Sequence, residues 1–169
     1  MSQILKNRVL AIVLITACIL LLSLIPLHTE SQVLAVSNNT ASTTDLRAEK
    51  IDTYFKKHNM KLYGYGSVFV KTADKYKLPY NFLPAITVAE STGGNSPCKK
   101  SKANVFGWGS CKLTFKTYEE AIDHVGWALS GGLKYYKSPK IEDKLWNYNT
   151  KVVPTYTATI KKIMKDIDK

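Results

Sequence analysis

One carboxylate stands apart from the other charges in this chain. Glu90 closes the run LPAITVAE, in which seven uncharged residues precede it, and no Asp or Glu follows between Ser91 and Tyr118. The helical spacing predicts a helix over Asn81 to Ser91, with Asn81 as its cap and Pro84 in its first turn. Phe82, Leu83, Ala85, Ile86, Val88 and Ala89 cover nearly its whole circumference. A helix apolar all round is a buried one. An acid at its last turn meets the negative end of the helix dipole and a low dielectric, and both favour the neutral form, so its pKa is expected to rise. A carboxyl that keeps its proton near neutral pH can act as a general acid, for example toward a glycosidic oxygen. The same residue also fits a structural role, hydrogen-bonded to nearby hydroxyls or paired with a lysine.

The segment that follows Glu90 adds detail. It holds five lysines, two asparagines, the run Phe106-Gly107-Trp108-Gly109 and two cysteines, Cys98 and Cys111. A flat indole such as Trp108 stacks on a sugar face, and an amide such as Asn104 reads hydroxyl and acetamido groups. The glycines at 107 and 109 suit a close backbone approach. A sugar cleft is the expectation, although plain core packing of Trp108 fits these residues equally well. Cys98 and Cys111 are expected to pair in a compartment that permits disulfides, two free buried thiols being the alternative. No His or further Cys stands near them at metal-ligand spacing, so neither a metal nor a cofactor is expected.

The elements that must hold these residues are helical. Ala48, Ile51, Tyr54 and Phe55 mark one face of a first helix ending near Asn59. Val68, Phe69, Thr72, Ala73 and Tyr76 mark a second, ended by Pro79. Thr117-Tyr118-Glu119-Glu120 has the form of a capping box opening a fourth, which Gly131-Gly132 stops. A fifth surrounds Ile141, Leu145 and Trp146, and Pro154 opens a sixth with Tyr156, Ile160, Ile163, Met164 and Ile167. Between Ser91 and Leu113 there is no helical period. A loop with a short hairpin around Val105 to Phe115 is expected there.

Upstream, Lys6 and Arg8 precede the apolar run of residues 9–27, which reads as an export signal: residues 1–36 form either a signal peptide or an N-terminal membrane anchor. Ile15-Thr16-Ala17-Cys18 has the form of a lipidation site, but the apolar stretch after it argues against one. Residues 37–46, small and polar, form a flexible linker with a weak glycosylation sequon at Asn38, and the domain spans 47–169. From residue 36 onward there are 22 Lys/Arg against 12 Asp/Glu. Such an excess attracts polyanions. Export disfavours nucleic acid and leaves anionic wall polymers or a membrane surface, while a lysine surface that only confers solubility is the plainer alternative.

Glu90-Ser91, then Gly94 and Ser96, Asn104-Val105-Phe106-Gly107, Phe115-Lys116-Thr117-Tyr118 and finally Tyr148-Asn149 with Pro154-Thr155-Tyr156 occur in an order and spacing that resembles the lysozyme-like endo-β-N-acetylglucosaminidases of glycoside hydrolase family 73. Lytic transglycosylases of the same superfamily share the Glu-Ser step. The resemblance covers about residues 47–167. It implies a mainly α, lysozyme-like helical domain with a small irregular or β lobe, acting on the glycan strands of peptidoglycan; with the export segment, a monomer that is secreted or tethered to the membrane is expected. Glu90 would be the acid, Ser91 a supporting hydroxyl, Asn104, Phe106, Gly107, Trp108 and Tyr148 a substrate-binding wall, and Tyr156 a hydroxyl at the reacting centre. Two departures stand out: the lobe lacks the second acid usual in that family, and Gly93 occupies the place of an expected Trp. A two-carboxylate mechanism needs a partner about 5 to 9.5 Å away. Its absence points to a single-acid mechanism, in which the substrate's 2-acetamido or 6-hydroxyl group supplies the nucleophile. It also keeps open a transglycosylase or muramidase reaction, or a glycan-binding protein without catalysis.

Overall fold

The computed structural model describes residues 45–169. The export segment, Cys18 and the Asn38 sequon lie outside the described residues. None of the described helices is long and apolar enough to cross a membrane. The structure is mainly helical: α1 (Leu46–Lys57), α2 (Gly66–Tyr76), α3 (Phe82–Ser91), α4 (Tyr118–Trp127), α5 (Ile141–Leu145) and α6 (Tyr156–Ile167). α4 runs into a wide π-type turn at Ala128–Gly132 and α5 into another at Trp146–Thr150, with a 3-10 turn at Lys134–Tyr136 between them. The domain begins slightly before residue 47. Asp45 caps α1 by accepting from the Arg47 N–H at 2.9 Å, which takes the last two linker residues into the fold.

α3 is the centre of the packing. Phe82 through Thr87 are all buried and the helix meets α2, α4 and α6, but the expected burial all round stops at the last turn, where Val88 is half-buried and Ala89 exposed. Ile51 and Phe55 of α1, Phe69 of α2, Ile122 and Val125 of α4 and Ile160 of α6 complete the core. α2 crosses α1 at a point without room for a side chain, since a Cβ on Gly66 would stand 2.2 Å from the Ala48 carbonyl oxygen. Asp52 of α1 accepts from the Gly64 and Gly66 N–H groups at 2.9 and 3.0 Å and so caps α2 from outside it.

Three local expectations change. Asn81 stands at the start of α3, but its backbone is helical (φ −88°, ψ −2°), which is not the extended geometry of a side-chain cap. Its amide instead donates to the Met164 carbonyl and the Asp168 carboxylate, tying α3 to the far end of α6. Before α4, Thr117 accepts from Glu120 N–H as a capping box requires, but Glu120 reaches the N–H of Lys116 rather than that of Thr117. Trp146, placed with the apolar residues of α5 by sequence, is 54% exposed.

Between α3 and α4 the chain forms an irregular lobe, and no strand occurs among the described residues. The expected hairpin fails for a backbone reason. Gly107, Gly109, Ser110 and Cys111 all have φ between 53° and 63°, a left-handed conformation that a strand cannot accommodate. Side chains hold the lobe instead. Cys98 and Cys111 form a disulfide with Cα atoms 5.5 Å apart, and Ser101 Oγ accepts from Phe115 N–H at 3.1 Å. Closing a loop of 13 residues restricts the unfolded chain by about 3 kcal/mol. Cys98→Ser/Cys111→Ser is expected to lose stability of that order with the far-UV helical signal retained, as thermal unfolding followed by circular dichroism will read out.

Candidate active site

Glu90 lies on the last turn of α3, half-buried, and its surroundings come from three separate parts of the chain. From α6, the Tyr156 hydroxyl donates to Glu90 Oε1 at 2.7 Å. From the lobe, Gly107 faces the other oxygen: a Cβ there would stand 3.1 Å from Oε2 and meet nothing else within 4 Å. From the turn after α5, Tyr148 stacks parallel to Tyr156, with ring centroids 5.8 Å apart and 5° between planes. Burial raises the Glu90 pKa above the ordinary glutamate range, and the Tyr156 hydrogen bond opposes this by stabilising the anion. Burial, with the neighbouring Tyr148 and Glu90, pushes the Tyr156 hydroxyl far above the usual tyrosine range. Tyr156 therefore stays a hydrogen-bond donor, and Glu90 is the group of the pair that titrates first.

Glu90 opens onto a cleft of about 500 Å³ lined by Phe106, Gly107, Trp108, Tyr136 and Tyr148, with Gly109, Ser110, Leu133, Asn149 and Val152 at its edges. The Trp108 ring lies 5.6 Å from Tyr148 and 6.1 Å from Tyr136, so three aromatic side chains form one wall. The Tyr148 hydroxyl donates to the Phe106 carbonyl at 2.5 Å and fastens that wall to the lobe. Tyr136 is held from behind by Lys144, 4% exposed, whose Nζ donates to the Tyr136 carbonyl at 2.6 Å. Burial pushes that ammonium's pKa down. A larger hollow, about 630 Å³, lies between α1 and the end of α6, but Glu49, Lys50, Lys57 and Asp166 line it as a mixed-charge surface with no comparable arrangement.

Of the residues singled out by sequence, Glu90, Tyr156, Phe106, Gly107, Trp108 and Tyr148 come together here. Ser91 and Asn104 do not line the cleft. Ser91 is 2% exposed, donates to the Thr87 carbonyl and accepts from Gly94 N–H, so it finishes α3 and anchors the turn after it. Asn104 is fully buried; it accepts from Trp108 N–H and donates to the Trp108 and Leu113 carbonyls. It shapes the loop that presents Trp108. Tyr136 and Leu133 are cleft residues that sequence reasoning missed, and the only signal for them was the Gly131-Gly132 break that turns the chain back. Among the described residues, no second carboxylate lines the cleft. Glu120 caps α4, Asp123 binds Lys75 and Tyr76, and Glu119 lines a separate hollow. Among the described residues, no three His, Cys, Asp or Glu side chains converge as a metal would require.

The chain matches no family model, no curated protein and no solved structure.

The arrangement is a half-buried carboxyl with one oxygen occupied by Tyr156 and the other turned toward an aromatic cleft. A raised carboxyl pKa in the folded state means that below the ordinary glutamate range both states are protonated and no penalty exists. The cost of holding the anion grows as pH rises through the shifted value. Glu90→Gln is thus expected to be more stable than the parent at neutral pH, with the difference vanishing in acid, as denaturant unfolding at several pH values will measure. Tyr156→Phe removes the one group that lowers the Glu90 pKa, and a carbon-detected NMR titration should find that pKa higher still.

Proposed function

We propose that the protein is an exported peptidoglycan hydrolase that cleaves β-1,4 glycosidic bonds of the glycan strand, with Glu90 as general acid and then base. The observation that carries this reading is a single carboxyl, its pKa raised by burial, sharing a hydrogen bond with Tyr156 in a cleft walled by Trp108, Tyr136 and Tyr148. The resemblance to family 73 glucosaminidases described above points the same way. The aromatic wall suits stacking on the apolar faces of pyranose rings. The bare backbone at Gly107 leaves space for a substrate oxygen to approach Oε2.

In the proposed reaction, Glu90 gives its proton to the bridging oxygen as the C1–O bond breaks. Positive charge builds on the ring, and the carbonyl oxygen of the same sugar's 2-acetamido group closes on C1 to form an oxazolinium ion. Glu90, now an anion steadied by the Tyr156 hydroxyl, takes a proton from water as the water oxygen attacks C1. The product is a reducing sugar, and the acid has recovered its proton. With the 6-hydroxyl as nucleophile, Glu90 removes that proton instead and a 1,6-anhydro end forms. That no second carboxylate among the described residues lines the cleft favours an internal nucleophile in either case.

Glu90→Gln is expected to lower the rate by about 10² to 10⁴-fold, the range of general acid catalysis, and to abolish clearing in wall-lysis zymography. Equal clearing by parent and variant would defeat the assignment. Because the acid must start protonated, the parent's rate should fall as pH rises through the raised Glu90 pKa, a limb that pH-rate measurements on soluble glycan will locate. Mass spectrometry of the released ends distinguishes reducing sugars from anhydro ends and fixes which bond is cut.

A further inference from the structure

The geometry points to a second binding surface, the disulfide-clipped lobe, as a docking site for a linear phosphodiester polymer lying beside the cleft. Lys99, Lys100, Lys102, Lys112 and Lys116 are all exposed, and among the described residues none forms an ion pair. No acid occurs between residues 91 and 118 to neutralise them. The lobe's internal links bring these lysines together. The Cys98–Cys111 bond, the Ser101–Phe115 hydrogen bond and the Asn104 amide on the Leu113 carbonyl hold residues 98–104 alongside residues 111–115. Three lysines therefore stand on one segment and two on or just beyond its neighbour, fixed by covalent and buried contacts rather than left on a mobile loop.

At one end, Lys102 and Lys116 line the same hollow of about 430 Å³ with Tyr65 and Tyr118, whose rings meet edge to face at 5.3 Å. Glu119 also lines this hollow and marks where the cationic surface stops. At the other end, Gly109 and Ser110 belong to the cleft edge, and Lys112 follows two residues later. A chain of phosphates can follow the paired segments from the hollow toward the cleft without entering it. A membrane surface fits less well. Insertion needs exposed apolar side chains, and Leu113, 43% exposed, is the one large hydrophobic that the lobe presents to solvent. The choice of a wall phosphate polymer over nucleic acid rests on the export proposed above; the surface itself and the Glu90 chemistry are independent of each other.

The test measures binding of the full chain to poly(glycerol phosphate), a phosphodiester polymer without sugars, across a range of salt. The Glu90→Gln protein should bind it as the parent does. Lys99→Gln/Lys100→Gln/Lys112→Gln is expected to weaken binding about tenfold or more and to flatten the salt dependence. Lys57→Gln/Lys71→Gln/Lys162→Gln removes the same charge elsewhere and should cost less than about twofold. The lobe variant should keep the parent's unfolding temperature and its rate on phosphate-free glycan, which separates failure of this site from failure of the catalytic reading. Equal losses in the two triple variants, no loss in either, or tighter binding of anionic phospholipid vesicles than of the polymer would overturn the proposal.

Discussion

Burial acts on Glu90 in two opposed ways, and the site depends on the balance between them. Taking the carboxyl out of water favours its neutral form, while the Tyr156 hydroxyl, buried with it, favours the anion. The proton transfer proposed for Glu90 needs both influences, because a group driven too far toward either form would give up its proton too reluctantly or fail to take one back. The hydrogen bond is only as exact as the packing of α3 against α6. That packing is secured at its far end by the Asn81 amide, which reaches the Met164 carbonyl and Asp168. A contact at the opposite end of α3 thus helps to aim the acid.

The cleft wall obeys the same logic of support from behind. Trp108 is presented by a loop built around the buried Asn104 amide, Tyr148 is fastened to the Phe106 carbonyl, and Tyr136 is fastened by Lys144. These contacts fix the backbone that carries Trp108 and Tyr136 and the hydroxyl of Tyr148. The strain of the irregular lobe is concentrated where the backbone must bend sharply, at Gly107 through Cys111, and the disulfide closes that stretch. Without regular secondary structure to define it, the lobe takes its shape from short backbone turns, such as Cys111 N–H on the Gly107 carbonyl, and a few side-chain bonds.

The helices were legible in the sequence because their apolar faces repeat with helical period: Ile51 and Phe55, Phe69 and Ala73, Ile122 and Val125, Ile160 and Ile167 are all buried. Glu90 was legible because charge is absent around it. The pairing of Cys98 with Cys111 could be read from their number and the expected compartment. The hairpin expected around Val105 to Phe115 does not form because four of the five residues from Gly107 to Cys111 are left-handed, and two of them, Ser110 and Cys111, are not glycines that would announce it. Ser91 and Asn104 carry hydroxyl and amide groups that serve a ligand or the backbone equally well on paper. Burial alone decides between those uses. Tyr136 reaches the cleft through two irregular turns that no local pattern announces. The lysozyme-like likeness belongs to the proposal for function; the mainly α architecture is what the structure establishes.

Glu90 and Tyr156 are 66 residues apart, and no local element brings them together. Contacts between distant parts of a chain form late, after the cost of closing the long loop between them has been met. On a ribosome or in a translocation channel, where the chain emerges from its N-terminal side, α3 and its acid appear well before α6. The hydroxyl that readies Glu90 arrives only when α6 docks. Under the proposed function, a degradative chemistry assembled by its own last contact would stay silent throughout the passage of the chain and switch on when folding is complete.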